Sequence, residues 1–298
     1  MVIPVVSGLT TASGAAQVTD AYRSAVLIAA GVAALAGPVM LIGGVLARYS
    51  SEGVRTMVVT CTNGELGDAP GGIKPGDEGH DEAEVARVRL SELERACETL
   101  GVAHLELLGY HDSGMVDWEH KDRPNVFCNV AVDDAAERLS GLFERYQPDV
   151  VVTYDELGGY DHPDHVHASR VAMAAVARTG IPRKAYFTAF RRSMFERFRA
   201  VLEEQGADLS QIPHPDPEQL RMMDAVEARI TTAIDVGRFV ERKRLALATH
   251  ASQIEESFWG RLPTEAFCAL FGEESFIRAH DTTGAPIPET DLFVGLLT

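Results

Sequence analysis

Cysteine and positive charge are scarce in this 298-residue chain, and each shortage excludes a class of protein. The four cysteines, Cys61, Cys97, Cys128 and Cys268, are widely spaced and form no Cys-x-x-Cys pair. Neither a disulfide framework nor a cysteine zinc site is indicated, and a reducing cytoplasm fits best. Basic residues number 27 against 44 acidic ones, a formal charge of −17. Phosphate backbones repel such a surface, so a nucleic-acid partner is not expected. No basic segment precedes an apolar core near the N-terminus, so a secretory signal is a poor match. Histidine is absent from residues 1–41, where Asp20 is the single acid.

Residues 1–24 read as a variable extension rich in Ser, Thr, Ala and Gly. Ala25 to Ala47 carries no charge and has the length of a membrane span. Gly31, Gly37, Pro38, Gly43 and Gly44 interrupt it, and it divides better into a buried strand, Val26–Val32, and a helix from Pro38 to Tyr49. The next segments continue that alternation. Thr56–Thr62, His104–Leu108, Val150–Thr153, Lys184–Phe190 and Arg229–Val236 read as strands. Glu82–Leu100, Asp133–Tyr146, Val166–Arg178, Arg191–Glu204 and Arg238–His250 read as helices. The pattern predicts an α/β fold: one Rossmann-like domain over residues 25–262, with a mostly parallel sheet and helices on both faces. Gln205–Gln219 reads as a loop. Pro, Gly and polar breaks make residues 263–298 a closing arm of the same domain.

Three strands end in polar loops: Asn63–Asp68, Gly109–Met115 and Tyr154–His165. Open α/β sheets bind ligands at the carboxyl ends of their strands, so the three loops point to one site. Within the last loop, His162 and His165 are three apart at a helix start, which turns both imidazoles to one side for a metal or an anion.

The runs Thr60–Gly67, Arg89–Leu93, Leu107–Gly114, Thr153–His165, Thr249–Gln253 and Pro288–Phe293 resemble, in order, the motifs of the PIG-L/LmbE family of zinc-dependent N-deacetylases and amidases, and within it the mycothiol-type branch. The resemblance implies a Rossmann-like domain that hydrolyses amide bonds of amino-sugar or thiol conjugates with zinc. It implies that His165 is a zinc ligand and that Tyr160 and His162 stabilise the oxyanion, with Asp164 beside them in the catalytic loop. It further implies that Glu65, Arg89, Asp112 and His250 line the substrate pocket.

One motif is missing. At the end of the first strand the family carries Ala-His-Pro-Asp-Asp-Glu, whose His and second Asp bind zinc and whose first Asp is the general base. Counted back from Ile42 without a gap, that place falls on Ala33-Ala-Leu-Ala-Gly-Pro38. One of three zinc ligands is therefore retained. Family zinc chemistry is expected to be lost or nearly so unless Asp155, Asp161, Asp164, His111 or Glu65 supplies ligands. The alternative is a relative that binds a sugar or thiol conjugate without turning it over.

Overall fold

The computed structural model describes residues 36–204, 215–254 and 262–296. The expected extension and the expected strand Val26–Val32 lie outside these residues, as do the side chains of residues 36–38 and 160–161.

The chain opens with α1 (Ala36–Ser51), followed by β1 (Met57–Thr62), α2 (Glu82–Leu100), β2 (His104–Tyr110), α3 (Val132–Tyr146) and β3 (Val150–Thr153). Then come α4 (Pro163–Thr179), β4 (Lys184–Ala189), α5 (Arg192–Glu204), α6 (Pro217–Glu227), β5 (Thr232–Asp235), α7 (Val240–Ala248), α8 (Thr264–Phe271) and β6 (Glu273–Asp281). Local chemistry sets the ends. The Asp81 side chain accepts from the amides of Ala83 and Glu84 to start α2, and Gly101 ends it in the left-handed region.

β1 is buried along its whole length, as its unbroken apolar run requires of a strand covered on both faces. Its alternate side chains enter different cores. Val58 packs with α1, α2 and α7, while Met57, Val59 and Cys61 pack with α3 and α4. β3 divides the same way, Val150 and Val152 against Val151. Helices therefore cover both faces, as expected. Among the described residues no helix is long and apolar enough to cross a membrane.

β1 pairs in parallel with β2, and β3 in parallel with β4. The expectation for the C-terminal segment needs correction. Residues 263–298 supply α8 and β6, and β6 lies between β4 and β5, antiparallel to both, in the order β3-β4-β6-β5. Pro263 and Gly272, which read as breaks within an arm, are the boundaries of α8. Glu289 then ties the segment down. Its buried carboxylate accepts from Lys184 Nζ at 2.5 Å, Thr232 Oγ1 at 2.8 Å, Tyr186 OH at 2.9 Å and Arg278 Nη1 at 3.0 Å. Of the expected loop Gln205–Gln219, residues 205–214 lie outside the described residues, and Asp216 and Gln219 form a capping box that starts α6.

Candidate functional site

The loops that follow β1, β2 and β3 meet at one end of the strands. A cleft of about 220 Å³ opens there, lined by Leu66, Gly67, Asp68, Arg89, Asp112, Gly114, Met115, Trp118, His162 and Gln253. Arg89 enters from α2 with its side chain fully buried. Its guanidinium donates to the Gly64 carbonyl and, at 2.7 Å, to Gln253 Oε1, which fastens the β1 loop to the segment after α7. Gly67 is required by that packing, because a Cβ there would lie 2.0 Å from Arg89 Nη1.

Asp112 follows β2. Its Oδ1 accepts from the Gly114 amide at 2.8 Å, and its buried carboxyl is hydrogen-bonded to that of Asp164. Asp164 opens α4 beside it, fully buried, with Oδ2 accepting from the Ser113 amide at 2.9 Å and Oδ1 from the Ser113 hydroxyl. The Cys128 amide donates to that hydroxyl oxygen at 3.0 Å, so the Ser113 proton is directed at Asp164. Burial and the neighbouring Asp112 carboxylate push the Asp164 carboxyl up to about 8, and burial raises Asp112 as well. Two buried like charges cannot both ionise freely, so near neutral pH the pair retains a proton.

The two histidines of the loop stack with ring centroids 4.6 Å apart, yet their hydrogen bonds set them in opposite tautomers. His162 caps α4, and its Nδ1 accepts from the Asp164 amide at 3.2 Å. Burial, followed by the neighbouring His165, pushes its pKa down to about 3, so the ring is neutral and carries its proton on Nε2. In His165 the bonding is reversed. Its Nδ1 lies 3.0 Å from the Gly158 carbonyl, an acceptor only, so Nδ1 carries the proton and Nε2 presents a lone pair when the ring is neutral. Gly158 permits that contact: its φ is +65°, and a Cβ there would lie 2.8 Å from both His165 Cβ and the Val166 amide.

Among the described residues one group of three metal-type side chains forms, Asp112, His162 and Asp164, each offering an atom within 4.8 Å of the others. Of the five residues considered as replacement ligands, Asp164 is in this group. His111 is bonded to Glu65 Oε1 at 2.7 Å, Asp155 caps the Gly159 amide at 3.0 Å, and the Asp161 side chain lies outside the described residues, as does that of Tyr160. His165 is not in the group and stacks against Tyr154 at 3.9 Å.

Arg89 and Asp112 are among the lining residues of the cleft, and Glu65 and His250 lie outside that lining. Glu65 accepts from the Asp112 amide at 3.1 Å and so supports the loop from behind. His250 is fully buried with both ring nitrogens unpartnered, and burial, with Arg89 and Arg95 adding to it, pushes its pKa down to about 3. Sequence reasoning missed Ser113 as the partner of Asp164 and Trp118 as a wall of the cleft. Ser113 sat inside a motif without a role, and Trp118 lies outside every strand, helix and motif read from the sequence.

The family model described as PIG-L, GlcNAc-PI de-N-acetylase, matches residues 38–176. A 1D-myo-inositol 2-acetamido-2-deoxy-alpha-D-glucopyranoside deacetylase from Acidothermus cellulolyticus is 36% identical over 273 residues, covering 85% of this chain and 89% of the relative. The protein of the same name from Saccharomonospora viridis is 34% identical over 262 residues, covering 85% and 88%. Among solved structures, the N,N'-diacetylchitobiose deacetylase from Pyrococcus horikoshii superposes with a TM-score of 0.54 at 20% identity, covering 86% of this chain and 83% of that one. GalB, a 4-carboxy-2-hydroxymuconate hydratase from Pseudomonas putida, gives 0.58 at 20%, covering 89% and 99%. A deacetylase and a hydratase thus share this fold, so the fold alone does not fix the reaction. The sequence matches are more specific: over nearly the full length of its relatives, and with three strand-end loops converging as their motifs imply, this chain belongs to the PIG-L family.

Proposed function

We propose that the cleft binds a small N-acylated amino-sugar conjugate and that hydrolysis of its N-acyl bond is the reaction the site is shaped for. The observation that carries this reading is the tautomer of His162. A neutral imidazole held as an N–H donor on the wall of a buried cleft stabilises the oxygen of an amide carbonyl as negative charge develops on it. Asp112, on the wall of the cleft, accepts a hydroxyl or the nitrogen-bound proton of the ligand. Arg89 holds the β1 loop against Gln253, and the Asp164 amide fixes the orientation of His162. Tyr160, by the family resemblance, is a second oxyanion donor. The relatives from Acidothermus and Saccharomonospora are named for an acetamido-glucopyranoside, and that substrate class suits these walls.

In zinc amidohydrolases the metal supplies a polarised carbonyl and a nucleophilic water. The residues described here do not fit such a centre. A catalytic zinc takes three protein ligands, and neutral nitrogen ligands bind through a lone pair. In the Asp112, His162, Asp164 group, the Asp164 amide occupies the His162 Nδ1 lone pair, and Nε2 carries the proton. His165 offers a lone pair, but among the described residues it belongs to no group of three ligand-type side chains. Residues 1–35 bring no histidine or cysteine, and Asp20 as their one acid. Binding and carbonyl polarisation remain, and turnover falls about 10² to 10⁴ below that of a fully equipped relative for the missing general base alone.

The test is release of acetate from the glucosaminyl-inositol acetamide, with zinc content measured on the same preparation. Slow release, unchanged by added zinc or by chelator, is expected. One zinc per chain, with fast release abolished both by chelator and by His165→Ala, would replace this reading with a complete metallohydrolase. The metal-ready tautomer of His165 is what favours that second reading.

A further inference from the structure

The cleft has two unlike walls. Arg89, Asp112 and His162 form one, and Leu66, Met115 and Trp118 the other. The Trp118 ring is seated by the turn that fixes Asp112. Its amide donates to the Met115 carbonyl at 3.0 Å, and the ring lies directly on Gly114, where a Cβ would come within 2.7 Å of Trp118 Cε3 and 3.3 Å of Leu66 Cδ1. Gly114 in turn donates its amide to Asp112 Oδ1. One turn therefore sets an aromatic plate and an acceptor side by side, both lining the cleft.

An apolar plate beside a fixed acceptor is complementary to a ligand with a flat C–H face and hydroxyls around its edge. A pyranose ring has that shape. An extended acyl-cysteine chain has no face to lay on the plate. The volume agrees: about 220 Å³ is below the roughly 300–1,000 Å³ typical of sites that enclose drug-sized ligands, so the cleft encloses about one ring.

We propose that Trp118 is a specificity-determining residue, a platform that makes the cleft select a single N-acyl pyranoside ring over an acyclic N-acyl thiol. This rests on the preceding reading that the cleft binds an N-acyl conjugate, and it decides between the amino-sugar and thiol conjugates that the family resemblance leaves open.

The chain has two tryptophans, Trp118 and Trp259, so a Trp259→Phe background leaves Trp118 as the sole indole reporter. In that protein, methyl N-acetylglucosaminide should change the emission of Trp118 saturably, at the same midpoint that calorimetry gives. N-acetylcysteine should leave it unchanged. Trp118→Ala should weaken glycoside binding at least about tenfold. Trp118→Phe, which keeps a smaller ring, should recover most of the loss and serves if the alanine variant fails to fold. Glycoside binding by calorimetry with an unchanged Trp118 signal, or with undiminished affinity in both Trp118 variants, would overturn the platform and leave the binding reading intact. Preference of the unaltered protein for N-acetylcysteine would overturn it too. Absence of binding by either probe to the unaltered protein would sink the underlying reading and the platform with it.

Discussion

Glu274 joins the N-terminal helix to the C-terminal strand, and its loss is expected to be far more damaging than the loss of its lysine partner. Its carboxylate accepts from the amides of Gly44 at 2.7 Å and Val45 at 2.8 Å and from Lys243 Nζ at 2.8 Å. The two side chains are 3% and 1% exposed, so neither charge has water to fall back on. Glu274→Gln removes the charge and leaves the Lys243 ammonium buried, which typically costs about 3–5 kcal/mol. The Phe271 ring, 4.4 Å from Lys243 Nζ, offsets part of this. Lys243→Met leaves the carboxylate with both amide donors, and the methionine refills the space of the lysine stem. That loss should be about 1.5–2 kcal/mol, the lower end of the range for a charged hydrogen bond, because the two amide donors remain. At about 2–4 °C per kcal/mol for chains of 150–250 residues, Glu274→Gln should lower Tm by roughly 6–20 °C. Lys243→Met should lower it by at most about half as much, and the double variant should be more stable than Glu274→Gln. Urea and thermal unfolding of the three proteins decide the matter. A greater loss in Lys243→Met than in Glu274→Gln, or additive losses in the double variant, would refute the claim that an orphaned cation dominates.

Gly67→Ala should displace the Arg89 guanidinium, detach the β1 loop from Gln253 and weaken glycoside binding at least about tenfold, since one charged hydrogen bond is worth about 1.5–3 kcal/mol. Calorimetry checks it, and unchanged affinity would mean that Arg89 does not shape the cleft. Stability should also peak near neutral pH. His162 and His250, depressed to about 3, and His167, depressed to about 4, are neutral when folded, whereas unfolded histidine titrates near about 6.5. Between those values the unfolded chain binds the extra protons, so acidification destabilises the fold by about 1.4 kcal/mol per pH unit for each site. Asp164, raised to about 8, acts in the opposite sense: its folded carboxyl keeps a proton that the unfolded one releases above about 4, so stability declines as pH rises towards 8. Three histidines outweigh one carboxyl below about pH 6.5, so urea midpoints should climb from pH 4.5 to 6.5 and then fall modestly. A midpoint that rises on acidification would contradict the neutral, buried state of these histidines.

The elements legible in the sequence are those whose signals are local. The Asp81 cap and the Gly101 stop mark both ends of α2 where they were expected, and the apolar run of β1 announces a strand buried on both faces. β6 was not legible because its place between β4 and β5 is decided by partners far along the chain: Tyr186 is matched to Arg278, and Lys184 to Glu289. The site divides in the same way. His162 at the start of α4 and Asp112 after β2 carry motif and turn signals. The bond from Ser113 to Asp164 spans 51 positions, and the placing of Trp118 on Gly114 needs the loop's three-dimensional path. Opposite tautomers of two histidines three residues apart depend on a backbone amide on one side and a carbonyl on the other. No residue pattern spells that out.

The most direct test of the central claim is calorimetric titration of metal-stripped protein with methyl N-acetylglucosaminide. Saturable binding to one site per chain, weakened at least about tenfold by His162→Ala and unaffected by added zinc, is the predicted result. Heat that appears only after zinc is restored would contradict it, because the cleft would then depend on a metal that its described residues do not hold.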